Sequence, residues 1–168
     1  MSTATKLAQR TVHTGTFQGG QAQKLAQDTA RKANTLAEQV AALQNRAYAA
    51  LTTDSTAPLF TYATLLTANI TTVLATGYLI VTFTASGAHI TNPGQTYFQV
   101  LVDNVIKKGI GVTMTTGGSW SASIVLRTVV TRGPHVVLVQ WNSDAASGRI
   151  NAASTVEEHA HLLVQEAA

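Results

Sequence analysis

The chain contains no cysteine among its 168 residues. Disulfides and thiolate metal sites are therefore excluded, and redox chemistry gives no indication of the compartment. Charged residues make up only 11% of the chain, against about 25% in an average soluble domain. A surface with so little charge stays soluble most easily when copies of the same chain or neighbouring proteins cover much of it.

Long hydrophobic runs are also missing. No apolar stretch reaches the roughly 18 residues that a transmembrane helix needs, and the N-terminal letters MSTATKLAQRTVHTG lack the apolar centre of a signal peptide. The net charge of +3 comes from basic residues spread along the N-terminal third, which is too dilute for a nucleic-acid footprint. We therefore expect neither membrane insertion nor a nucleic-acid partner.

Motifs for catalysis are absent from the sequence as well. There is no G-x-S-x-G elbow, and the run TTGGSW lacks the strand–loop–helix context of a phosphate loop. Asp54, Asp103 and Asp144 have the sequence context of turn or cap residues, which argues against a pair of glycosidase carboxylates. We expect a protein that is not an enzyme and that needs no cofactor.

The N-terminal region is polar and punctuated by glycine. Residues 1–21 show no hydrophobic periodicity, and we predict an extended arm that is ordered by binding something else. Phe17 is the aromatic side chain of this arm and the candidate anchor. Further along, residues 52–58, with the letters TTDSTAP, contain the helix-stopping residues Asp, Ser and Pro and predict a linker.

Residues 22–51 predict one helix, because they contain no proline or glycine and consist mostly of good helix formers. A 3-4 spacing runs through this segment and includes Leu36, Val40 and Leu43. The apolar stripe is narrow, so the helix would bury too little to be stable by itself. We interpret it as a short coiled-coil stalk or a helix packed on a partner; the alternative is an amphipathic helix lying on its own domain.

Residues 59–168 are dense in Val, Ile, Thr, Tyr and Phe, with turn signals about every ten residues. Asp103 and Asn104 lie between two valines and predict a two-residue hairpin, since both tolerate positive φ. The run HVVLVQW, residues 135–141, alternates between two faces of a strand. Together these patterns predict an antiparallel jelly-roll β-sandwich.

The letters EEHAHLLVQE near the end of the chain allow two interpretations. His159 and His161 share one face of a strand, and with Glu166 they match the His-x-His-x4-Glu fragment of the first metal motif of cupins. Alternatively the segment is the closing strand of the sandwich, with Ala160, Leu162 and Val164 in the core. A third possibility is that histidines from three chains cluster at a three-fold axis and bind an ion.

Three other side chains are candidates for contact with a glycan or a receptor. Trp120 follows a Gly-Gly turn, where an aromatic ring belongs either to the core or to a sugar-binding loop. Lys107 and Lys108 come just after the Asp103–Asn104 hairpin, where a basic pair is either a solvated strand end or a contact.

Three stretches of the chain resemble a known family. These are YFQVLVDNVIKKG, SWSASIVLRTVVTRGPHVVLVQW and GRINAASTVEEHAHLLVQE, and they resemble the C-terminal β-sandwich of bacteriophage virion proteins. That family comprises tail fibre, head fibre and capsid decoration proteins with a C1q/TNF-like jelly-roll head. Asn104 departs from the pattern, because glycine is usual at that turn position.

The resemblance implies a homotrimer on the surface of a phage particle, made in the bacterial cytoplasm. Its partners would be itself and other virion proteins of the capsid, portal or neck, or tail, and its head could attach to a host glycan or receptor. The alternative function is a cupin-like metal-dependent enzyme that uses His159, His161 and Glu166.

Overall fold

The computed structural model describes residues 3–89, 92–144, 148–150 and 160–168. The chain forms two units, Met1–Glu38 and Gln39–Ala168. Its elements, in chain order, are α1 (Thr3–Gln44), β1 (Arg46–Ala50), β2 (Ser55–Thr56), β3 (Ala63–His89), β4 (Gly94–Val102), β5 (Val105–Met114), β6 (Ser119–Ser143), β7 (Gly148–Ile150) and β8 (Ala160–Ala167). Among the helices of the described residues, none is long and apolar enough to cross a membrane.

Helix α1 differs from the sequence prediction at both ends. The backbone is helical from Thr3, so the extended conformation predicted for residues 1–21 is wrong. Ala, Lys, Gln and Arg recur there, and each glycine costs a helix only about 1 kcal/mol. At the other end α1 stops at Gln44 rather than at residue 51, because Arg46–Ala50 pairs with β8 as a strand.

Two very long strands, β3 and β6, build the β unit. Residues 63–72 of β3 pair with residues 133–141 of β6, and residues 76–88 pair with 119–131. Between the two halves the register shifts from Thr72 to Thr76. We call residues 72–76 of β3 and 131–133 of β6 the bend.

The bend divides the strands between two antiparallel sheets. In the first sheet, β8 pairs with the second half of β3, and β1 pairs with β8. In the second sheet, β4 pairs with the second half of β6, and β5 pairs with β4. Each sheet thus has four strand segments, and the short β2–β7 pair extends one end of β3. The predicted antiparallel jelly roll is confirmed.

Large apolar side chains from both sheets fill the space between them. Phe98 of the second sheet is fully buried, and its ring centroid lies 5.3 Å from that of Phe83 in the first sheet. The rings of Trp120 and Trp141 lie 5.4 and 6.0 Å from Phe98. Aromatic pairs at such distances add about 0.5–1.5 kcal/mol each to the burial of their area. This cluster fixes the two sheets face to face.

The hairpin between β4 and β5 has the predicted form. Asp103 and Asn104 have φ angles of 52° and 64°, the left-handed pair that a two-residue hairpin turn requires. The turn places the Asp103 side chain beside the second half of β6, where Val136 N–H donates to its Oδ1 at 3.0 Å.

Candidate functional site

The bend is held by side-chain hydrogen bonds that replace the lost ladder bonds. Thr72 Oγ1 donates to the Thr131 carbonyl at 2.7 Å and accepts from Gly133 N–H at 3.1 Å. Gly133 has a φ of 141°, which suits glycine and strains other residues. Arg132 donates from Nε to the Val73 carbonyl at 2.5 Å. The bend therefore depends on threonine, arginine and glycine at fixed places.

Glu166 is the buried acid at this end of the sandwich. Its side chain is 0% exposed, and it accepts hydrogen bonds from Val73 N–H at 2.9 Å and Leu74 N–H at 2.8 Å. Asn45 Nδ2 donates to its Oε2 at 2.6 Å. Hydrogen bonds to a carboxylate are roughly twice as strong as those between neutral groups. Glu166 thus joins β8, the bend and the residue that follows α1.

His135 and Asp103 form a second polar cluster, next to the bend. Nδ1 of His135 lies 2.7 Å from Oδ2 of Asp103, and Nε2 lies 2.8 Å from the Thr131 carbonyl oxygen. His135 is 8% exposed, whereas the Asp103 side chain is about half exposed. The pair connects the β4–β5 turn to the first residues after the bend.

The environment shifts the pKa of both groups. Burial lowers the pKa of His135, but the hydrogen bonds to Asp103 and to the Thr131 carbonyl, with the charges of Asp103 and Glu166, outweigh it and raise the pKa above its ordinary value. Burial raises the pKa of Asp103, but the hydrogen bonds from His135 and Val136 N–H, with the charges of His135 and Lys107, bring it below its ordinary value. The two shifts have the same origin, since each group stabilises the charged form of the other.

A pocket of about 270 Å³ opens beside this pair. Its apolar lining comes from four valines and its polar lining from Asp103, Thr131, His135 and Lys107; the valines are Val102, Val105, Val129 and Val130. The volume falls just below the roughly 300–1,000 Å³ of pockets that take drug-sized ligands.

The arrangement does not suit His135 for general base catalysis. A general base needs a free imidazole nitrogen within reach of a proton. Both ring nitrogens of His135 already face acceptor oxygens, those of Asp103 and the Thr131 carbonyl. The pair instead has the geometry of a structural ion pair.

The structure separates the residues of the possible metal set. Along β8 the side chains alternate, and Glu166 points into the core while His161 lies on the opposite, half-buried face. They cannot hold one ion together. His161 Nδ1 is hydrogen-bonded to the Tyr48 hydroxyl at 2.5 Å, and His159 lies outside the described residues. Within those residues, no group of three or more His, Asp or Glu side chains could hold a metal.

The closing-strand interpretation of β8 agrees with the structure. Ala160, Leu162 and Val164 are each 0% exposed and belong to the core. Glu166 continues the same inward series. Sequence reasoning missed this buried role, although a glutamate in register with three inward apolar residues was the available signal.

The three candidate surface residues have different surroundings. Trp120 is 6% exposed and packs on Phe98, so its ring is not available to stack on a sugar. Lys107 lines the pocket. Lys108 Nζ donates to the Val125 carbonyl at 3.1 Å, which links β5 to the first half of β6.

The residues predicted for the stalk are exposed in the single chain. Leu36, Val40 and Leu43 all belong to α1, and each exposes about half or more of its surface. Phe17, the predicted anchor, is also helical, and its side chain lies outside the described residues. The coiled coil and the anchor remain predictions.

Several exposed apolar residues, not singled out from the sequence, lie on the outer face of the first sheet. Tyr48 pairs with Leu163, Leu163 with Thr82, and Thr82 with Val125, so these four side chains form one row across the sheet. Ile80 of β3 pairs with Arg127 of β6, and Val129 of β6 pairs with Tyr78 of β3. Ile80 and Val129 therefore lie in the next two rows of the same face. We call this surface the apolar sheet face; its members are Tyr48, Ile80, Val125, Val129 and Leu163.

Charges on the apolar sheet face are few. Arg127 is the register partner of Ile80, and its guanidinium carbon lies 3.4 Å from the centroid of the Tyr78 ring. Arg46 lies at the far side of the same row, opposite Gln165. Cation–π stacking of Arg127 covers the Tyr78 ring, and the five members of the apolar sheet face stay exposed.

Known proteins resemble this chain in structure rather than in sequence. No family model matches the chain, and no curated protein matches it. Among solved structures, the globular domain of zebrafish complement 1qA protein is similar, with a TM-score of 0.45 and 11% identity, covering 71% of this chain and 94% of that chain. The fold described above rests on the strand pairing of this chain itself.

Proposed function

We propose that the protein is a non-enzymatic structural component of a bacteriophage particle. It assembles as a homotrimer through its β-sandwich and its helix, and acts as a fibre, spike or capsid decoration protein. The sequence resemblance to phage virion proteins supports the proposal that the protein belongs to a phage particle. The apolar sheet face is the observation that carries the proposal of self-assembly.

A sheet that is covered on one side alone normally carries polar residues on the other. Here Tyr48 and Val129 are 62 and 65% exposed, and Val125, on the same strand as Val129, is 55% exposed. Contiguous apolar patches of this kind mark protein interaction sites. Water is removed from them when another copy of the chain covers the face.

A three-fold arrangement gives each copy the same environment and closes on itself, so no apolar face is left open. Leu36, Val40 and Leu43 would be covered in the same assembly by two neighbouring helices. The small share of charged residues, 11%, fits a chain whose surface is largely covered in the particle.

The molar mass of the purified full chain tests self-assembly. We expect sedimentation equilibrium to give three times the chain mass of 17.7 kDa. Val125→Asp places a charge on the apolar sheet face, at the β6 end of the row that begins at Tyr48, and should dissociate the trimer. The matched control is Thr67→Asp, an exposed β-branched residue of the second sheet, which should leave the mass unchanged.

A monomer at micromolar concentration, or equal effects of the two substitutions, would contradict assembly through this face. Attachment to particles is tested separately, because deletion of residues 1–21 should abolish binding to phage particles while the remaining chain stays trimeric. A truncated protein that still decorates particles would refute the anchoring role of this segment.

A further inference from the structure

His135 has an unusual pair of hydrogen-bond partners. Its Nδ1 contacts a carboxylate oxygen of Asp103, and its Nε2 contacts the Thr131 carbonyl oxygen. Neither oxygen can donate. A neutral imidazole carries one N–H and one lone pair, whereas the imidazolium carries two N–H donors. Both contacts are therefore attractive in the protonated ring alone.

We propose that His135 is a proton-dependent lock between the Asp103–Asn104 turn and the bend. The lock is closed while the imidazole carries both protons and opens when one of them leaves. This inference does not depend on trimer assembly, because all of its contacts lie within one chain.

Loss of the proton changes the contact with Thr131 most. The tautomer that keeps its hydrogen on Nδ1 preserves the bond to Asp103, but it sets the Nε2 lone pair against a carbonyl oxygen at 2.8 Å. Because the ring is only 8% exposed, it has little contact with water that could replace the lost hydrogen bond. The bend must then move away from His135. Gly133 makes that movement possible, because a residue without a side chain can change its φ from 141° at little steric cost.

The charged groups around the ring come from four elements. Asp103 from the β4–β5 turn and Glu166 from β8 favour the imidazolium through their charges. Lys107 of β5 acts on Asp103, and Arg132 of β6 directs its guanidinium to a carbonyl of β3. Burial lowers the pKa of His135, but the acceptor oxygens and the nearby negative charges outweigh burial and raise this pKa.

The raised pKa of His135 in the folded state determines whether the stability rises or falls with pH. The stability that the lock contributes is fully present below the unfolded value of about 6.5 and is lost as the pH rises through the folded pKa. Asp103, with its lowered pKa, contributes above its unfolded value of about 3.9 and loses its contribution as the pH falls through its folded pKa. The lock is therefore strongest between about pH 4 and pH 6.5.

Proton NMR of the histidine ring signals in the full chain tests the proposal. We expect the His135 signal to titrate above about 6.5, and the backbone amides of Thr131, Arg132 and Gly133 to shift with the same midpoint. In Asp103→Asn the midpoint should fall by about one pH unit or more. A His135 midpoint at or below 6.5, or bend amides that do not follow it, would overturn the lock.

A variant that cannot titrate provides the second readout. The urea midpoint of the wild type should fall as the pH rises through the His135 titration, whereas His135→Gln should show no such step. An equal step in both proteins would refute the role of His135. Should His135→Gln fail to fold, the titration of the wild-type ring and bend amides still decides the question. His161→Gln is the control, because that ring bonds to Tyr48 on the outer face and its loss should leave the step in place.

Discussion

Glu166 offers the sharpest test of how the sandwich is held at the bend. Glu166→Ala removes a fully buried carboxylate and with it the acceptor of the Val73 and Leu74 backbone amides. It also removes one of the two acceptors of the Asn45 side-chain amide, which keeps its hydrogen bond to the Thr71 carbonyl. A buried donor that loses its partner costs about 1–3 kcal/mol. Because these three amides share one acceptor and their losses are not additive, we expect a total of about 3–5 kcal/mol.

The free energy of unfolding in urea measures this loss. Fluorescence of Trp120 and Trp141, both in the core, follows the transition, and all variants are compared at one protein concentration because assembly would shift the midpoint. Glu166→Gln keeps one oxygen acceptor and the shape of the side chain, so it should lose about 1–3 kcal/mol.

Gln165 supplies the matched control for Glu166. It is the neighbouring residue on the opposite face of β8, half-buried, with one long hydrogen bond of 3.4 Å to the Leu43 carbonyl. Gln165→Ala should cost less than about 1 kcal/mol. A loss below about 1 kcal/mol for Glu166→Ala, in a protein that unfolds in two states, would refute the reasoning that this carboxylate secures the bend.

Substitutions at three further positions test other parts of the structure. In Gly87→Ala the new Cβ would lie 2.2 Å from the Arg149 carbonyl oxygen and 2.6 Å from the Trp120 ring; we expect a loss of at least about 2 kcal/mol in thermal unfolding, and an unchanged melting temperature would contradict this close approach. Asn104→Ile puts a β-branched residue at a φ of 64° and should cost about 1–2 kcal/mol, while Asn104→Gly should cost nothing. Gly19→Ala, with no atoms within 4 Å of the new Cβ, should stabilise the helix by about 1 kcal/mol and raise the far-ultraviolet helix signal; no gain would argue that the N-terminal part of α1 is not helical.

Local patterns predicted the strands well where neighbouring residues decide the geometry. The Asp103–Asn104 hairpin follows from two residues that tolerate positive φ, and the structure confirms it. The alternation of residues 135–141 predicted two faces, and the inward residues, including Val137, Val139 and Trp141, are buried.

Turn signals were less reliable where long strands bend without ending. The letters TRGPH have the composition of a turn, but Gly133 and Pro134 lie inside β6, which continues from one sheet into the other. The bend is stabilised by contacts far away in sequence, such as Thr72 with Thr131 and Gly133. Such contacts are invisible to a local pattern.

The candidate site could be foreseen only in part. His161 and Glu166 were correctly placed on one strand, but the opposite faces that they occupy separate them. The contact between His135 and Asp103 joins residues 32 positions apart, and the apolar sheet face emerges only when β1, β8, β3 and β6 are aligned in register. These features belong to the tertiary structure.

The continuity of β3 and β6 through both sheets has a consequence for the way the sandwich opens. Each of these strands spends one half in each sheet, so neither sheet can lose its β3–β6 pair without pulling on the other. We expect the amide protons of the two β3–β6 segments to exchange with solvent through a single common opening reaction, rather than sheet by sheet. The outer strands β1 and β5, each paired on one side by a described strand, are then the places where separate, cheaper fluctuations can begin.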